Sequence, residues 1–460
     1  MVSSAHTVTH GRPQPAVLVL GGGVAGIQAA LDLGDMGMQV HLVEKKPSIG
    51  GRMAQLDKTF PTNDCSLCIL APKMADCSRH PNITLHTNSE LVSVSGSAGA
   101  FHVDVHKSAR FVNESACTGC LECTQKCPTK VPDEFDMGLR MREAIYTYFM
   151  QAVPAVAAID REYCLYLTKG RCGICKRICQ AGAIDYEQED SEFALDVGAI
   201  VVATGFDPFD PAVVKPYGYG KYRNVITSME YERLISASGP TGGHLWRQSD
   251  REPVKKLAFL QCVGSRNLNH NRFCSSVCCM YATKEAILAH EHDRELESTI
   301  FYTDLRAAGK GFQEYVARAK REYKVSFVRG RVAEITQDEQ ERPVIWYEDT
   351  EGPAGHAGKG SSGAGSLDGR KKSETVVLAV LAISLVPRRG AQELADLLEI
   401  ELDEYNFVKT DPFAMADTTR PGVFACGYCR GPADIPESVA QASSAAARAA
   451  EAVAKATPQI

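Results

Sequence analysis

Eight cysteines in two groups interrupt this chain. Cys117, Cys120, Cys123 and Cys127 follow at spacings of x2, x2 and x3 with Pro128 behind them, and Cys164, Cys172, Cys175 and Cys179 repeat the pattern with the first interval stretched to x7. Such spacing wraps a short turn around a cube of iron and sulfide so that three thiolates meet one face. Paired C-x2-C units also serve structural zinc, but a C-x2-C-x2-C-x3-C-P run is unusual for that ion. The chain holds 17 cysteines, an odd number, and its first fifteen residues lack an apolar stretch of the signal-peptide kind. This combination speaks for metal or redox ligation in a reducing, cytoplasmic compartment and against a disulfide scaffold.

With 460 residues, the chain has room for roughly three domains. Its net charge of -6 is small, and the basic residues are dispersed, so no nucleic-acid footprint is present. The longest apolar run, Val376 to Pro387, falls short of the roughly 20 residues of a membrane helix and reads as a buried strand. Residues 1–15 read as a disordered lead-in, and 352–372, rich in Gly, Ser and Ala, as a flexible loop without chemistry.

Outside the cysteine region the pattern alternates strand and helix. The apolar run Ala16–Leu20 leads into Gly21, Gly23 and Gly26, then a helical pattern over Ile27–Met36 and a strand over Gln39–Val43 ending at Glu44. Glycines at a strand-to-helix turn let a pyrophosphate approach the helix N-terminus, and a carboxylate ending the second strand can accept the ribose hydroxyls of an adenosine. Gly50, Gly51 and Arg52 add backbone room and a cation, while Ala203-Thr204-Gly205 and the late Gly422–Gly427 motif end strands far downstream.

These discontinuous elements resemble the two-dinucleotide-domain flavoproteins of the thioredoxin reductase class, which implies FAD. In that class the late motif ends in Gly-Asp, whereas Tyr428 follows Gly427 here. The two cysteine groups together resemble a two-cluster ferredoxin. Its crossed ligation implies one [4Fe–4S] cluster on Cys117, Cys120, Cys123 and Cys179, and another on Cys127, Cys164, Cys172 and Cys175.

The expected fold is therefore α/β, with two thioredoxin reductase-like dinucleotide-binding domains and an inserted ferredoxin-like α+β module. The FAD domain would be assembled from residues 16–106, 191–250 and 386–460, the module from 107–190, and a second Rossmann-like domain from 251–385.

A third group, Cys262, Cys274, Cys278 and Cys279, opens the second α/β unit, where a pyridine-nucleotide reductase would carry another G-x-G-x-x-G. That fingerprint is missing. The vicinal pair Cys278-Cys279 is awkward for a regular cube, so spacing alone leaves buried free thiols as an alternative. The sequences Cys262-Val-Gly-Ser-Arg266 and Phe273-Cys-Ser-Ser-Val-Cys-Cys-Met-Tyr-Ala282, with Asn63–Met74 and Ile435–Ala442, extend a resemblance over nearly the whole chain to the A-type subunit of heterodisulfide reductase.

That resemblance implies an unusual [4Fe–4S] cluster on the third group and an electron-transfer protein in which FAD and clusters pass electrons between partners, with flavin-based bifurcation as the family mechanism. The partners implied are B- and C-type cluster-binding subunits or a hydrogenase- or dehydrogenase-linked adaptor, within a dimer of a hetero-oligomeric complex. No nucleic acid and no membrane insertion are implied. Longer family members carry extra ferredoxin modules. A quinone-linked branch of the family, a nicotinamide-dependent reductase resembling the small subunit of glutamate synthase, and a zinc-stabilised scaffold are the rival readings.

Three further assignments concern isolated residues. Cys65 and Cys68 follow the first βαβ unit where flavin disulfide reductases keep a redox-active pair, and a dithiol trading electrons with FAD is one reading, packing or cluster support the other. Lys284, five residues past Cys279, is expected either to stabilise the anionic reduced flavin or to be an ordinary solvated charge. Cys77, Cys426 and Cys429 have no decisive spacing and read as buried thiols.

Overall fold

The computed structural model describes residues 16–350 and 371–456. The expected N-terminal lead-in and most of the expected loop lie outside them. Lys371 and Lys372, assigned to that loop from sequence, instead open a strand, Lys371–Thr375, that pairs antiparallel with Pro343–Asp349.

Because β1 (Ala16–Leu20) is apolar at every position, it can be buried on both faces, and it occupies the centre of a five-stranded parallel sheet. α1 (Val24–Asp35) crosses over to β2 (Gln39–Glu44), and α2 (Ser66–Arg79) leads to β3 (Ile83–Thr87) on the edge. On the other side of β1 lie Ala199–Val202 and then Val423–Ala425, both parallel to it. The helix Ile435–Ala456 closes this unit. Ala442, Ala445, Ala446 and Ala449 recur at helical spacing and are fully buried, which lets that helix approach the α1 side of the core closely.

The second unit is a seven-stranded sheet with Lys256–Val263 near its middle, flanked by Leu378–Ile383 and Glu297–Tyr302. Its boundary differs from the sequence expectation. The strand Val225–Thr227 and the helix Ser228–Ile235, assigned to the FAD domain, belong here, the strand pairing with Leu378–Ile383. Three strand residues are too short a run to declare a sheet from pattern alone. Phe206–Pro208 and Leu385–Pro387, the two crossings between the units, pair with each other.

The cysteine-rich region leaves from a three-stranded antiparallel meander, β4 (Ser89–Ser97) beside β5 (Ala100–Lys107) beside Ser191–Val197. Its two halves are closed by a bridge between Val112 and Ile184 and share a small core with Ile145, Val156 and Ile159. Between the halves the chain returns to the first unit. Phe135, Phe149 and Ala152 enter that unit's core, and the Ile49 N–H donates to the Val153 carbonyl at 3.0 Å.

A buried ion pair fastens this return. Arg233 donates to the Asp136 carboxylate at 2.7 Å and to the Gln55 carbonyl at 3.0 Å, while Gln55 Nε2 donates to the Phe135 carbonyl at 2.8 Å. Asp136 and Arg233 are both almost fully buried, and Arg140 is a second cation on Asp136. Burial still pushes the Asp136 carboxyl above its ordinary value, so desolvation outweighs the two guanidiniums. Such a pair adds little over an apolar core, but removing one partner strands the other charge. Arg233→Met is expected to lower unfolding free energy by about 3 kcal/mol, read from the denaturation midpoint, whereas the exposed pair Lys45–Glu90 should contribute under about 1 kcal/mol.

Candidate functional site

The three glycines of the first turn do three different jobs. Gly21 has φ +103°, and a Cβ there would stand 2.5 Å from the Ala203 carbonyl oxygen, so it serves the turn and the approach of Ala199–Val202. A Cβ on Gly26 would stand 1.8 Å from the Gly21 carbonyl oxygen, so it serves helix-on-strand packing. Gly23 differs. A Cβ there would meet no protein atom nearer than Gly51 Cα at 4.0 Å. The space beside Gly23, at the N-terminus of α1, is where backbone amides and the helix dipole favour a phosphate.

Glu44 ends β2 beside this turn. Its carboxylate accepts from the Gly22 N–H at 2.6 Å and the Lys46 N–H at 2.8 Å. Burial raises its pKa, opposed by those donors and by the charge of Arg388. A carboxylate so held fits an adenosine ribose. Gly51 packs backbone to backbone on Gly23, where an added Cβ would stand 2.8 Å from Gly23 Cα, so the loop bearing Gly50, Gly51 and Arg52 lies over the turn.

Arg52 itself donates to Gln55 at 3.1 Å and pairs with Asp207 at 3.3 Å. Thr204 and Gly205 line a small cavity with Arg388 and Cys429, and the Cys429 thiol takes hydrogen bonds from their backbone amides. Gly427, with φ +71°, donates to Gln441 at 2.9 Å. The Tyr428 hydroxyl donates toward the Ser275 and Leu385 carbonyls at 3.2 and 3.3 Å, away from the first unit.

The structure brings the eight module cysteines together across the two halves. Cys117, Cys120, Cys123 and Cys179 line one cavity of about 340 Å³, and Cys127, Cys164, Cys172 and Cys175 line another together with Tyr166 and Tyr186. All eight are free thiols. Among the described residues no three His, Cys, Asp or Glu side chains converge on the position of a single ion. Burial pushes the Cys123 thiol up to about 12, a cost that a metal cluster can offset by binding the thiolate.

Cys262, at the end of Lys256–Val263, lies within electrostatic reach of Cys274, Cys278 and Cys279, the last two at the start of the helix Cys278–His292. Charge on Cys274 opposes charge on Cys262, Cys278 and Cys279, and charge on Cys262 opposes charge on Cys278 and Cys279. Burial pushes Cys279 up to about 11 and Cys278 further. Arg266 Nη1 stands 3.9 Å from Cys262 Sγ, and the Arg306 N–H donates to Cys279 Sγ at 3.4 Å. Cys262 (φ +62°) and Cys172 (φ +101°) both hold left-handed backbone, a strain typical of functional positions.

Lys284 is not a solvated charge, which corrects one of the two sequence expectations. It is 1% exposed, paired with Glu232 and bonded to the Lys58 carbonyl at 2.9 Å across the interface of the two units. Burial, together with Glu232, drives the neighbouring Glu285 carboxyl well above the ordinary carboxylate range. Cys65 and Cys68 are joined as an exposed disulfide at the N-terminus of α2. Cys77, Cys426 and Cys429 are buried free thiols. Sequence reading missed Arg388 and the insertion's Tyr148, both of which stand in the electrostatic neighbourhood of Glu44.

Residues 16–64 match the family model of FAD dependent oxidoreductases. The chain is 51% identical over 441 residues to the second A-type iron-sulfur subunit of CoB–CoM heterodisulfide reductase from Methanopyrus kandleri, covering 95% of this chain and 64% of that protein. It is 45% identical to the A-type subunit of the H2:CoB-CoM heterodisulfide, ferredoxin reductase from Methanothermobacter marburgensis, covering 94% of this chain and 63% of that one. The chain thus spans less than two thirds of either relative's length. Among solved structures it resembles thioredoxin reductase of Lactococcus lactis, with TM-score 0.52 at 15% identity, covering 96% of this chain and all of that one. For thioredoxin reductase of T. acidophilum the TM-score is 0.51 at 13% identity, with 95% and 97% covered. The fold is therefore that of the thioredoxin reductase-like proteins. No helix among the described residues is long and apolar enough to cross a membrane.

The open space at Gly23 gives a direct test. Gly23→Val should leave the unfolding midpoint of flavin-free protein unchanged and abolish FAD retention, whereas Gly26→Ala should destabilise the flavin-free protein itself. Acid-released flavin and thermal melts distinguish the two.

Proposed function

This chain is, over nearly its whole length, a homologue of the A-type subunit of heterodisulfide reductase, and from that premise we propose that it is the flavin and iron–sulfur electron-transfer component of such a complex. The observation that carries the reading is the third thiol group. It occupies the strand-to-helix turn of the second unit, the place where a pyridine-nucleotide reductase binds its hydride donor. Electrons reach the flavin from thiolate-bound metal instead of nicotinamide.

FAD, when bound, exchanges electrons in pairs or singly, and [4Fe–4S] clusters exchange them one at a time. The chain's own residues supply the rest. Gly23, Gly51 and the α1 N-terminus would hold the pyrophosphate, Glu44 the ribose, and Thr204, Gly205 and Gly427 further backbone contacts. Cys117, Cys120, Cys123 and Cys179 would hold one cluster; Cys127, Cys164, Cys172 and Cys175 a second; and Cys262, Cys274, Cys278 and Cys279 a third. Lys284 holds a positive charge at the interface between the units, supported by Glu232, and would stabilise negative charge on a reduced flavin. Cys65 and Cys68 can take two electrons and two protons as their disulfide opens, which suits exchange with a flavin.

Partner proteins of the same complex would dock where the module's thiols reach the surface, since Cys120 and Cys172 are exposed. We place the protein in the cytoplasm, in a dimer of hetero-oligomers, with B- and C-type cluster subunits or a hydrogenase- or dehydrogenase-linked adaptor as partners and bifurcation as the mode of electron transfer.

Two measurements test the reading. Anaerobically assembled protein should carry about twelve iron atoms per chain on the four-cysteine rule, and Cys120→Ser should lose about four of them while FAD stays bound. A low-potential one-electron donor should bleach the flavin, and Cys278→Ser with Cys279→Ser should slow that step. Rapid stoichiometric bleaching by NADH alone would overturn the proposed electron source.

A further inference from the structure

The segment of the insertion that returns to the first unit does not pack there at random. It lies along Ser48–Arg52, the loop placed over the glycine turn. Ser48 Oγ donates to the Val153 carbonyl at 3.2 Å and accepts from the Val153 N–H at 2.8 Å, and Ile49 bridges Val153. Phe149 closes on Gly50, where a Cβ would stand 3.2 Å from its Cζ. Phe135 stacks on Phe149 at 4.9 Å and meets the Tyr148 ring edge-on at 5.5 Å. Both phenylalanines are buried, so Tyr148 rides on a fixed aromatic base.

Tyr148 stands over the end of β2. Lys46, two residues past Glu44, pairs with Glu134 at 2.8 Å and lies 5.9 Å from the Tyr148 ring centre. The charged groups whose fields reach the Tyr148 hydroxyl are Glu134, Arg52 of the loop over the glycine turn, and Glu44, the candidate ribose residue. Burial pushes this hydroxyl well above its ordinary pKa, which keeps it a neutral donor. Among the described residues no protein group hydrogen-bonds to it, yet it is not among the sealed polar atoms. A donor on a fixed aromatic base, without a protein partner among the described residues and within the fields of a carboxylate and a cation, is placed for a ligand oxygen.

We propose that residues 133–154 form a wall of the flavin site, with the Tyr148 hydroxyl donating to an oxygen of the adenosine diphosphate half of FAD. The cysteine-bearing insertion and the flavin cradle are then one binding unit, and the insertion retains the cofactor as well as carrying its own thiols. This inference rests on the flavin reading given above.

The test compares the FAD dissociation constants of the iron-reconstituted full chain as wild type, Tyr148→Phe and Tyr148→Ala, read from quenching of flavin fluorescence. Tyr148→Phe keeps the ring on Phe135 and removes only the hydroxyl. It should weaken FAD about tenfold, the effect of one lost hydrogen bond to an ionised or ribose oxygen, with iron content and the flavin-free melting midpoint unchanged. Tyr148→Ala should weaken FAD further. Equal affinity of wild type and both variants would overturn the wall while leaving the flavin reading intact. A wild-type chain that binds no FAD would overturn both.

Discussion

The contact between the Gly21–Gly26 turn and the end of Ala199–Val202 governs the molecule. Without side chains at Gly21 and Gly26, the central strand, its helix and a strand that arrives almost two hundred residues later meet at one point. Any Cβ at either glycine would collide with a carbonyl oxygen. Because the late strand must return to that point, whatever is inserted between them has to start and finish side by side. It does: Lys107, where the insertion leaves, pairs with Ser191, where it ends. Neighbouring strands lie about 5 Å apart, so a module of this size adds no strain to the sheet that carries it.

Three buried cations follow a second rule, that each is matched before it is enclosed. Lys284 has Glu232, Arg233 has Asp136, and Arg110 donates to the Pro47 and Val156 carbonyls and the Thr87 hydroxyl. Lys284 and Arg233 lie on the boundary between the units, and Arg110 lies where the insertion joins the first. An unpaired partner in any of them would cost several kcal/mol, which sets the relative positions of the parts more strictly than apolar contact does. Thiols follow the same logic in reverse. Burial makes Cys123 and Cys279 poor acids, and only a cation can repay the loss of their protons.

Much of this was legible in sequence because glycine and cysteine carry their geometry with them. Ala16–Leu20 could be placed by its continuous apolar run, and the turn and Glu44 by the glycine spacing between two strands. The cross-half grouping of the eight cysteines came from the resemblance to two-cluster ferredoxins, not from spacing alone. What could not be read depends on long-range contact. Val225–Thr227 is too short to declare its sheet, and Lys284 looks like any helical lysine until Glu232, far away in sequence, is seen beside it. Tyr148 belongs to a stretch with no motif. Its position is set by Phe135 and Phe149 entering the core of another unit, and no local pattern encodes that.

On the reading proposed above, the second unit exchanges a nicotinamide for a thiolate-held centre without a change of fold. In a nucleotide-binding unit the helix N-terminus after the first strand faces an anionic pyrophosphate, which the unpaired amides and helix dipole favour. Here that helix begins at Cys278 and Cys279, with Cys262 on the strand before it. Thiolates bound to metal also present negative charge, so the same helix end suits them. Arg266 and Arg306, joined through Asp304, add positive charge on the outer side of the group. The helix end and the two arginines therefore suit an anion, while the glycines of a dinucleotide fingerprint are missing. On that reading the site holds its anion within the protein, and its electron comes from a neighbouring centre.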